Sequence, residues 1–76
     1  MSNFQYQNGL ATVNGIEYTI NGYQSVDSAS IHLFLQNEEH QTTLYMGANT
    51  TIINGVTCTT RTQIIDLLGN PPELNS

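Results

Sequence analysis

The side chains in this sequence that could most readily perform catalysis or bind a metal are those of Cys58, His32 and His40. A cysteine beside a histidine base is a nucleophile, and the same side chains are ligands for zinc. The three residues lie in separate segments, and no C-x-x-C or H-x₃₋₅-H spacing brings two of them onto one turn. The spacing therefore predicts neither a nucleophilic site nor a metal site, and Cys58 is expected to be a small buried hydrophobe.

Glu38 and Glu39 are a second candidate, because paired carboxylates perform general acid–base chemistry. Adjacent carboxylates in a polar turn point apart into solvent, whereas glycoside hydrolysis needs two carboxyl groups across a cleft. The glycines form neither a G-x-G-x-x-G nor a P-loop pattern. We therefore expect no enzyme activity and no cofactor.

Charge is scarce and negative in this chain. The formal net charge is −5, and Arg61 is the single Lys or Arg residue. Nucleic acids and anionic membrane surfaces are bound by clustered basic side chains, so both are excluded as partners. Only 9% of the residues are charged, against about 25% in typical soluble domains. A neutral polar surface favours dense packing against copies or neighbours, so we expect a protein partner or a homo-oligomer.

The length predicts one domain with a thin core. We expect an N-terminal arm over residues 1–8, a core over 9–69 and a C-terminal tail over 70–76. No run of about 18 apolar residues and no basic-plus-apolar leader occurs. We therefore expect synthesis in a cytoplasm, with the virion or the host cytoplasm as the site of action.

Asn-Gly pairs mark the expected chain reversals. They occur at positions 8–9, 14–15, 21–22 and 54–55. Both residues tolerate the positive φ angles of type I′ turns, so Asn-Gly between alternating runs predicts a two-residue β-hairpin. A hairpin at positions 14–15 pairs Val13 with Ile16 and Ala11 with Tyr18 on an apolar face, leaving the other face mostly polar.

The same rule extends the meander through positions 21–22 to a short third strand, Tyr23–Val26, followed by a loop from Ser25 to Ser30. The clearest strand pair joins Ile31–Gln36 to Gln41–Met46 through a polar connection. This alternation predicts that most of the chain is antiparallel sheet.

A change of period marks a helix near the C-terminus. Thr60 and Gln63 match the capping box, apolar side chains recur at helical spacing over Ile64–Leu68, and Gly69 supplies the left-handed stop. The predicted fold class is α+β: a small antiparallel sheet of five to six short strands joined by Asn-Gly hairpins, with one short C-terminal helix packed on a face.

The second face of the central strand pair carries Phe34, Tyr45 and His32. This face is less polar than a sheet face exposed to water usually is. Two interpretations stay open: the face is an interface core, or the helix or the first meander covers it. Arg61 is expected to pair with an acid such as Glu17 or Asp27, or with a partner.

Sheet edges are the other expected contact, because the chain has no lysine to protect them. The arm, with Phe4 and Tyr6 alternating, is either disordered or adds to a neighbouring copy's sheet. The candidate interface residues are His32, Phe34, Tyr45, Glu38, Glu39, Arg61, Phe4 and Tyr6.

The abundance of Thr, Asn and Gly, the Asn-Gly hairpins and the near absence of cations make the chain similar to small virion accessory or fibre-associated proteins of bacteriophages. The resemblance implies a structural or accessory subunit of a larger assembly. The alternative function is a small acidic inhibitor that masks a basic surface on a host or defence protein, with Glu38 and Glu39 as contacts.

Overall fold

The computed structural model describes residues 4–74 as one sheet and one helix. In chain order the elements are β1 (Phe4–Gln7), β2 (Leu10–Val13), β3 (Ile16–Asp27), β4 (Ser30–Gln36), β5 (Gln41–Gly47), β6 (Ile52–Ile53), β7 (Val56–Thr57) and α1 (Arg61–Leu67). The strand order across the sheet is β5-β4-β3-β2-β1-β6-β7. All neighbours are antiparallel except β1 and β6. The α+β class is confirmed, but the described residues form seven strands instead of five or six.

Two-residue turns, in which both residues adopt the left-handed backbone conformation, connect the first three strands. Asn8-Gly9 has φ angles of 53° and 82°, and Asn14-Gly15 has 52° and 83°. Positive φ at both central positions matches the right-handed twist of the flanking strands. Around Asn14-Gly15 the sheet pairs Val13 with Ile16.

Asn21-Gly22 behaves differently, and the hairpin expected there is wrong. β3 runs through both residues, and Asn21 is the extra residue of a bulge. Its side-chain amide donates to Oε1 of Gln36 at 2.8 Å. A bulge bends a strand without reversing it. The predicted loop from Ser25 to Ser30 is consequently strand, apart from a short turn after Asp27.

The expected N-terminal arm is also wrong where the structure describes it. Phe4–Gln7 is an interior strand between β2 and β6, and Phe4 is 3% exposed. The Asn54 side chain accepts from the main-chain N–H of Tyr6 and donates to its carbonyl, both at 2.9 Å. β1 is satisfied within its own chain because the β1–β2 hairpin and β6 use both of its edges. Residues 1–3 of the predicted arm lie outside the described residues.

The helix begins and ends at the residues that the sequence marks. Thr60 caps it, with its hydroxyl accepting from the N–H of Gln63 at 3.1 Å. The Gln63 side chain accepts from the N–H of Thr59 at 2.8 Å, one residue before the expected partner. Gly69 has φ 79°, and the N–H of Asn70 donates to the carbonyl of Ile65 at 3.0 Å, which completes a Schellman motif.

One face of the sheet holds the core. The buried cluster joins alternate residues of β4 to the apolar stripe of α1, since Ile31, Leu33 and Leu35 pack in the same cluster as Ile64 and Leu68. The helix therefore packs on the inner face of the sheet, against the side that carries these β4 residues. Its short length makes it dependent on this packing. No helix within residues 4–74 is long and apolar enough to cross a membrane.

The expected C-terminal tail is partly ordered on the sheet. The N–H of Tyr23 donates to the carbonyl of Pro72 at 3.0 Å, and the N–H of Leu74 donates to the carbonyl of Tyr23 at 2.7 Å. Glu73 accepts from the Ser25 hydroxyl at 3.0 Å. The segment thus pairs with the part of β3 that extends beyond β2. Residues 75 and 76 lie outside the described residues.

Candidate interaction surface

Three of the predicted interface residues lie together on the outer face of β4 and β5. His32 pairs with Tyr45 across the two strands, and Phe34 pairs with Thr43. Because these side chains alternate with the core residues of β4, they point away from α1. Tyr45 is 58% exposed, while His32 and Phe34 are half-buried. Tyr45 is therefore open to solvent, and the helix does not cover this face.

Leu74 extends the apolar area toward β3. A Cβ on Gly22 would lie 2.6 Å from Cγ of Leu74, so the tail sits directly on the strand. Gly22 pairs with Phe34. A shallow groove follows, lined by Leu74, Phe34 and Thr43 among others. Tyr45, His32, Phe34 and Leu74 thus form an aromatic and apolar band on the outer face.

The band ends at the edge of the sheet, which is β5. Among residues 4–74 no strand pairs with the far side of β5. Its sequence, QTTLYMG, contains no charged residue and no proline. Natural edge strands are commonly blunted by lysine, proline or brevity. The opposite edge, β7, is only two residues long.

The hydrogen-bond phase of the β4–β5 ladder shows which backbone groups face this edge. The N–H of Asn37 donates to the carbonyl of His40 at 2.8 Å, and the N–H of Ala48 donates to that of Ala29 at 2.7 Å. Hydrogen-bonded pairs alternate with non-hydrogen-bonded pairs in an antiparallel ladder. The bonds at the two ends of the ladder therefore show that the even-numbered residues of β5 direct their N–H and C=O groups to β4. The residues whose N–H and C=O groups are free at the open edge are Gln41, Thr43 and Tyr45. Gly47 has the same orientation, but its carbonyl already accepts from the N–H and hydroxyl of Thr50 and from the hydroxyl of Thr51.

Glu38 and Glu39 are exposed in the turn that precedes β5. The Asn37 side chain holds this turn, because its Oδ1 accepts from the N–H of Glu39 at 2.9 Å and from that of His40 at 2.8 Å. Glu17 of β3 lines the same surface depression. We call Glu17, Glu38 and Glu39 the acidic patch. Sequence reasoning missed Glu17 as a member, because only the β3–β4 pairing brings it near the turn.

Arg61 lies at another place on the molecule. Its Nη1 donates to the main-chain carbonyl of Asp27 at 3.0 Å. The Ser30 hydroxyl and the N–H of Ala29 donate to the Asp27 carboxylate at 2.7 and 2.8 Å. These bonds, aided by the nearby charge of Arg61, lower the pKa of Asp27. Arg61 thus stabilises the β3–β4 turn of its own chain.

Phe4 and Tyr6 do not join the outer face either. Phe4 belongs to the buried core, and Tyr6 is half-buried against it. The Tyr6 phenol reaches the end of α1, where a Cβ on Gly69 would lie 2.8 Å from its oxygen. Both residues are structural in the described chain.

The residues with catalytic potential are kept apart. Cys58 is fully buried, and burial raises the pKa of its thiol. His32 is on the outer face and His40 is exposed in the turn before β5. Within residues 4–74 no group of three or more His, Cys, Asp or Glu side chains is placed to hold a metal ion.

The β5 surface consists of the open edge of β5 together with the neighbouring side chains of His32, Phe34 and Leu74. It combines unpaired backbone groups, exposed aromatic area and neutral polar surroundings. These are the properties of a site for protein contact by strand addition. Comparisons of the chain with protein-family models, with curated proteins and with solved structures found no match.

Proposed function

We propose that this protein is a non-enzymatic interaction module that acts as a small structural or accessory subunit of a larger assembly, and that its contact site is the β5 surface. The observation that carries the proposal is the seven-residue, uncharged, open edge of β5 beside an exposed tyrosine. Strand addition would use main-chain hydrogen bonds for affinity and the outer-face side chains for specificity.

The composition supports an assembly subunit over a freely diffusing monomer. Soluble monomers are kept apart by surface charge, and only 9% of this chain is charged. The assembly that we propose is a bacteriophage virion, because the combination of Thr, Asn and Gly with almost no cations is similar to that of small virion accessory proteins.

A pair of lysine substitutions on the two sheet edges tests the contact site. Thr43→Lys places a charge at the open edge of β5, whereas Thr57→Lys places the same charge at the short opposite edge. We expect association of the wild type and of Thr57→Lys to rise with concentration in analytical ultracentrifugation. Thr43→Lys should stay at the monomer mass of 8.4 kDa. Identical association of the two variants, or a wild type that is monomeric at millimolar concentration and binds no larger assembly, would refute the proposal.

A second candidate function has its own observation in the acidic patch. Glu17 joins Glu38 and Glu39 on one exposed surface, which would suit an inhibitor that masks a basic surface of a host or defence protein. This function predicts 1:1 binding that weakens with salt and is lost in Glu38→Gln/Glu39→Gln. Binding that survives this double substitution and high salt would favour the β5 surface instead.

A further inference from the structure

We infer that the occupant of the open β5 edge is β5 of a second copy of this chain, paired antiparallel about a two-fold axis that passes through Leu44. The inference rests on the proposed function and specifies its partner and its register. Four features of the edge lead to it: hydrogen-bond phase, strand length, side-chain pairing and charge.

The hydrogen-bond phase restricts the possible registers. Only odd-numbered residues of β5 present their N–H and C=O groups to the edge, as the bonds of Ala48 and Asn37 establish. In a symmetric antiparallel pair these residues must face odd-numbered residues of the second copy. A register in which an odd-numbered residue faces an even-numbered one directs half of the groups away from the partner.

Strand length then narrows the remaining registers to two. With Leu44 opposite Leu44 of the second copy, Thr43 faces Tyr45 and Gln41 faces Gly47. Thr43 and Tyr45 then exchange both main-chain bonds, whereas Gly47 can offer Gln41 only its N–H, because Thr50 and Thr51 already bind its carbonyl. The next allowed register, with Thr43 opposite Thr43, leaves out only Gly47 and makes the same number of main-chain bonds, so the side chains must decide between the two.

The side chains favour the register with Leu44 opposite Leu44. Leu44 belongs to the inner face but is only half-buried, because β5 has no neighbour on that side. At the axis it would meet its own copy in a non-hydrogen-bonded pair, where the Cα atoms approach to about 4.5 Å. On the outer face, Thr43 would lie opposite Tyr45, a β-branched and aromatic pair of the kind that stabilises sheets.

Charge favours the antiparallel arrangement over a parallel one. Each chain carries a net charge of −5, and Glu38 and Glu39 lie in the turn before β5. A parallel pair would bring these carboxylates of the two copies side by side. The antiparallel pair places them against the uncharged turn at Asn49 and Thr50 of the other copy. The strand itself adds no like-charge contact, because it contains none of the six acids.

Disulfide trapping tests the register directly. We would prepare Leu44→Cys, Thr43→Cys and Tyr45→Cys, with the wild type as the control for the buried Cys58. Only position 44 faces itself across the axis. Positions 43 and 45 lie beyond the roughly 7 Å Cα separation that a disulfide tolerates. We expect Leu44→Cys to form covalent dimers at least about ten times faster than the other two under mild oxidation. Equal rates, or faster trapping at 43 or 45, would overturn the register.

A measurement on the unsubstituted chain covers the case in which Leu44→Cys does not fold. In a mixture of isotope-labelled and unlabelled wild type, a filtered NOE between the Hα atoms of Leu44 in the two copies is expected. Its absence in a sample that sediments as a dimer would overturn the inference.

The two proposals fail in different ways. If neither trapping nor the NOE appears while Thr43→Lys still abolishes association, the two-fold register is wrong and the β5 surface remains the contact site. If association is also indifferent to Thr43→Lys, the proposed contact site fails as well.

Discussion

The imidazole of His32 meets the phenol ring of Tyr45 edge-on across β4 and β5, with ring centroids 5.9 Å apart and planes at 72°. This contact fixes a ring that is otherwise mostly exposed beside the open edge. We expect Tyr45→Ala to weaken self-association by about ten-fold or more, since exposed aromatic anchors dominate contact surfaces. Loss of the ring pair should lower the free energy of unfolding by less than about 1 kcal/mol.

The matched control for Tyr45→Ala is Val56→Ala. Val56 is 43% exposed and lies on the opposite edge strand, so its loss removes apolar surface without touching β5. Sedimentation and urea unfolding of both variants separate association from stability. An equal loss of association in the two variants would contradict the role given to Tyr45.

Gly22 is required where the C-terminal segment crosses β3. Because an added Cβ would lie 2.6 Å from Cγ of Leu74 and 2.7 Å from the carbonyl oxygen of Pro72, Gly22→Ala must displace the segment. We expect a loss of about 1–3 kcal/mol in the free energy of unfolding. The amide of Leu74, which donates to Tyr23, should exchange faster with deuterium.

A double-mutant cycle with Leu74→Ala isolates this contact. Gly22→Ala should cost less in the Leu74→Ala background, because the clashing side chain is already removed. Additive losses in the cycle would show that the two residues act independently.

Asp27 should make stability depend on acid pH. Its pKa is lowered from 3.8, first by the Ser30 hydroxyl and then by the N–H of Ala29. A group with a lowered pKa in the folded state stabilises the fold above its ordinary pKa, and that contribution is lost as the pH falls through the folded value. The urea midpoint of the wild type should exceed that of Asp27→Asn at about pH 5, and the gap should narrow as the pH falls below 3.8 toward the lowered pKa of the folded state.

Ser30→Ala is the companion variant for this test, because it removes the strongest of the bonds that lower the pKa of Asp27. It should show a smaller acid-dependent loss than the wild type. A gap between wild type and Asp27→Asn that is constant with pH would refute this assignment.

Salt dependence distinguishes the two candidate functions. Self-association through the uncharged β5 edge joins two chains of net charge −5, so screening should leave it unchanged or strengthen it. Binding of a basic partner through the acidic patch should instead weaken as the salt concentration rises. The measurement is the dissociation constant from about 50 mM to about 500 mM NaCl. Self-association that falls steeply with salt would count against the β5 surface.

Cys58 should react only when the fold opens. The residue is fully buried, and burial raises the pKa of its thiol. Since the thiolate is the reactive form, labelling by a disulfide reagent should be at least about ten-fold slower in native protein than in urea. Rapid labelling of the native chain would show that the core near β7 opens readily.

The alternation of side chains was sufficient to predict which residues of β4 face the core and which face outward. Ile31, Leu33 and Leu35 are buried, while His32 and Phe34 lie on the other side. The helix was predictable for a related reason. Thr60 caps its start and Gly69 ends it, and both signals act through neighbouring residues only.

Asn21-Gly22 shows what local reasoning misses. It has the same two residues as Asn14-Gly15, yet β4 offers backbone partners on both sides of it, and the chain continues as a bulged strand. The interior position of β1 depends on Ile53, which lies far along the chain. Pairings between residues so far apart in the chain leave no local signal in the sequence. The sequence therefore did not predict that the arm and the tail pair with the sheet.

The placement of β1 and of the C-terminal segment also has a consequence for biosynthesis. Phe4 leaves the ribosome before its parallel neighbour Ile53, which follows many residues later, and Leu74 emerges later still. The nascent chain can close its first hairpins at once, whereas the rest of the sheet must wait for these segments to emerge. Until then Phe4 and its apolar neighbours stay uncovered, and this is the interval in which the newly made polypeptide is most open to aggregation.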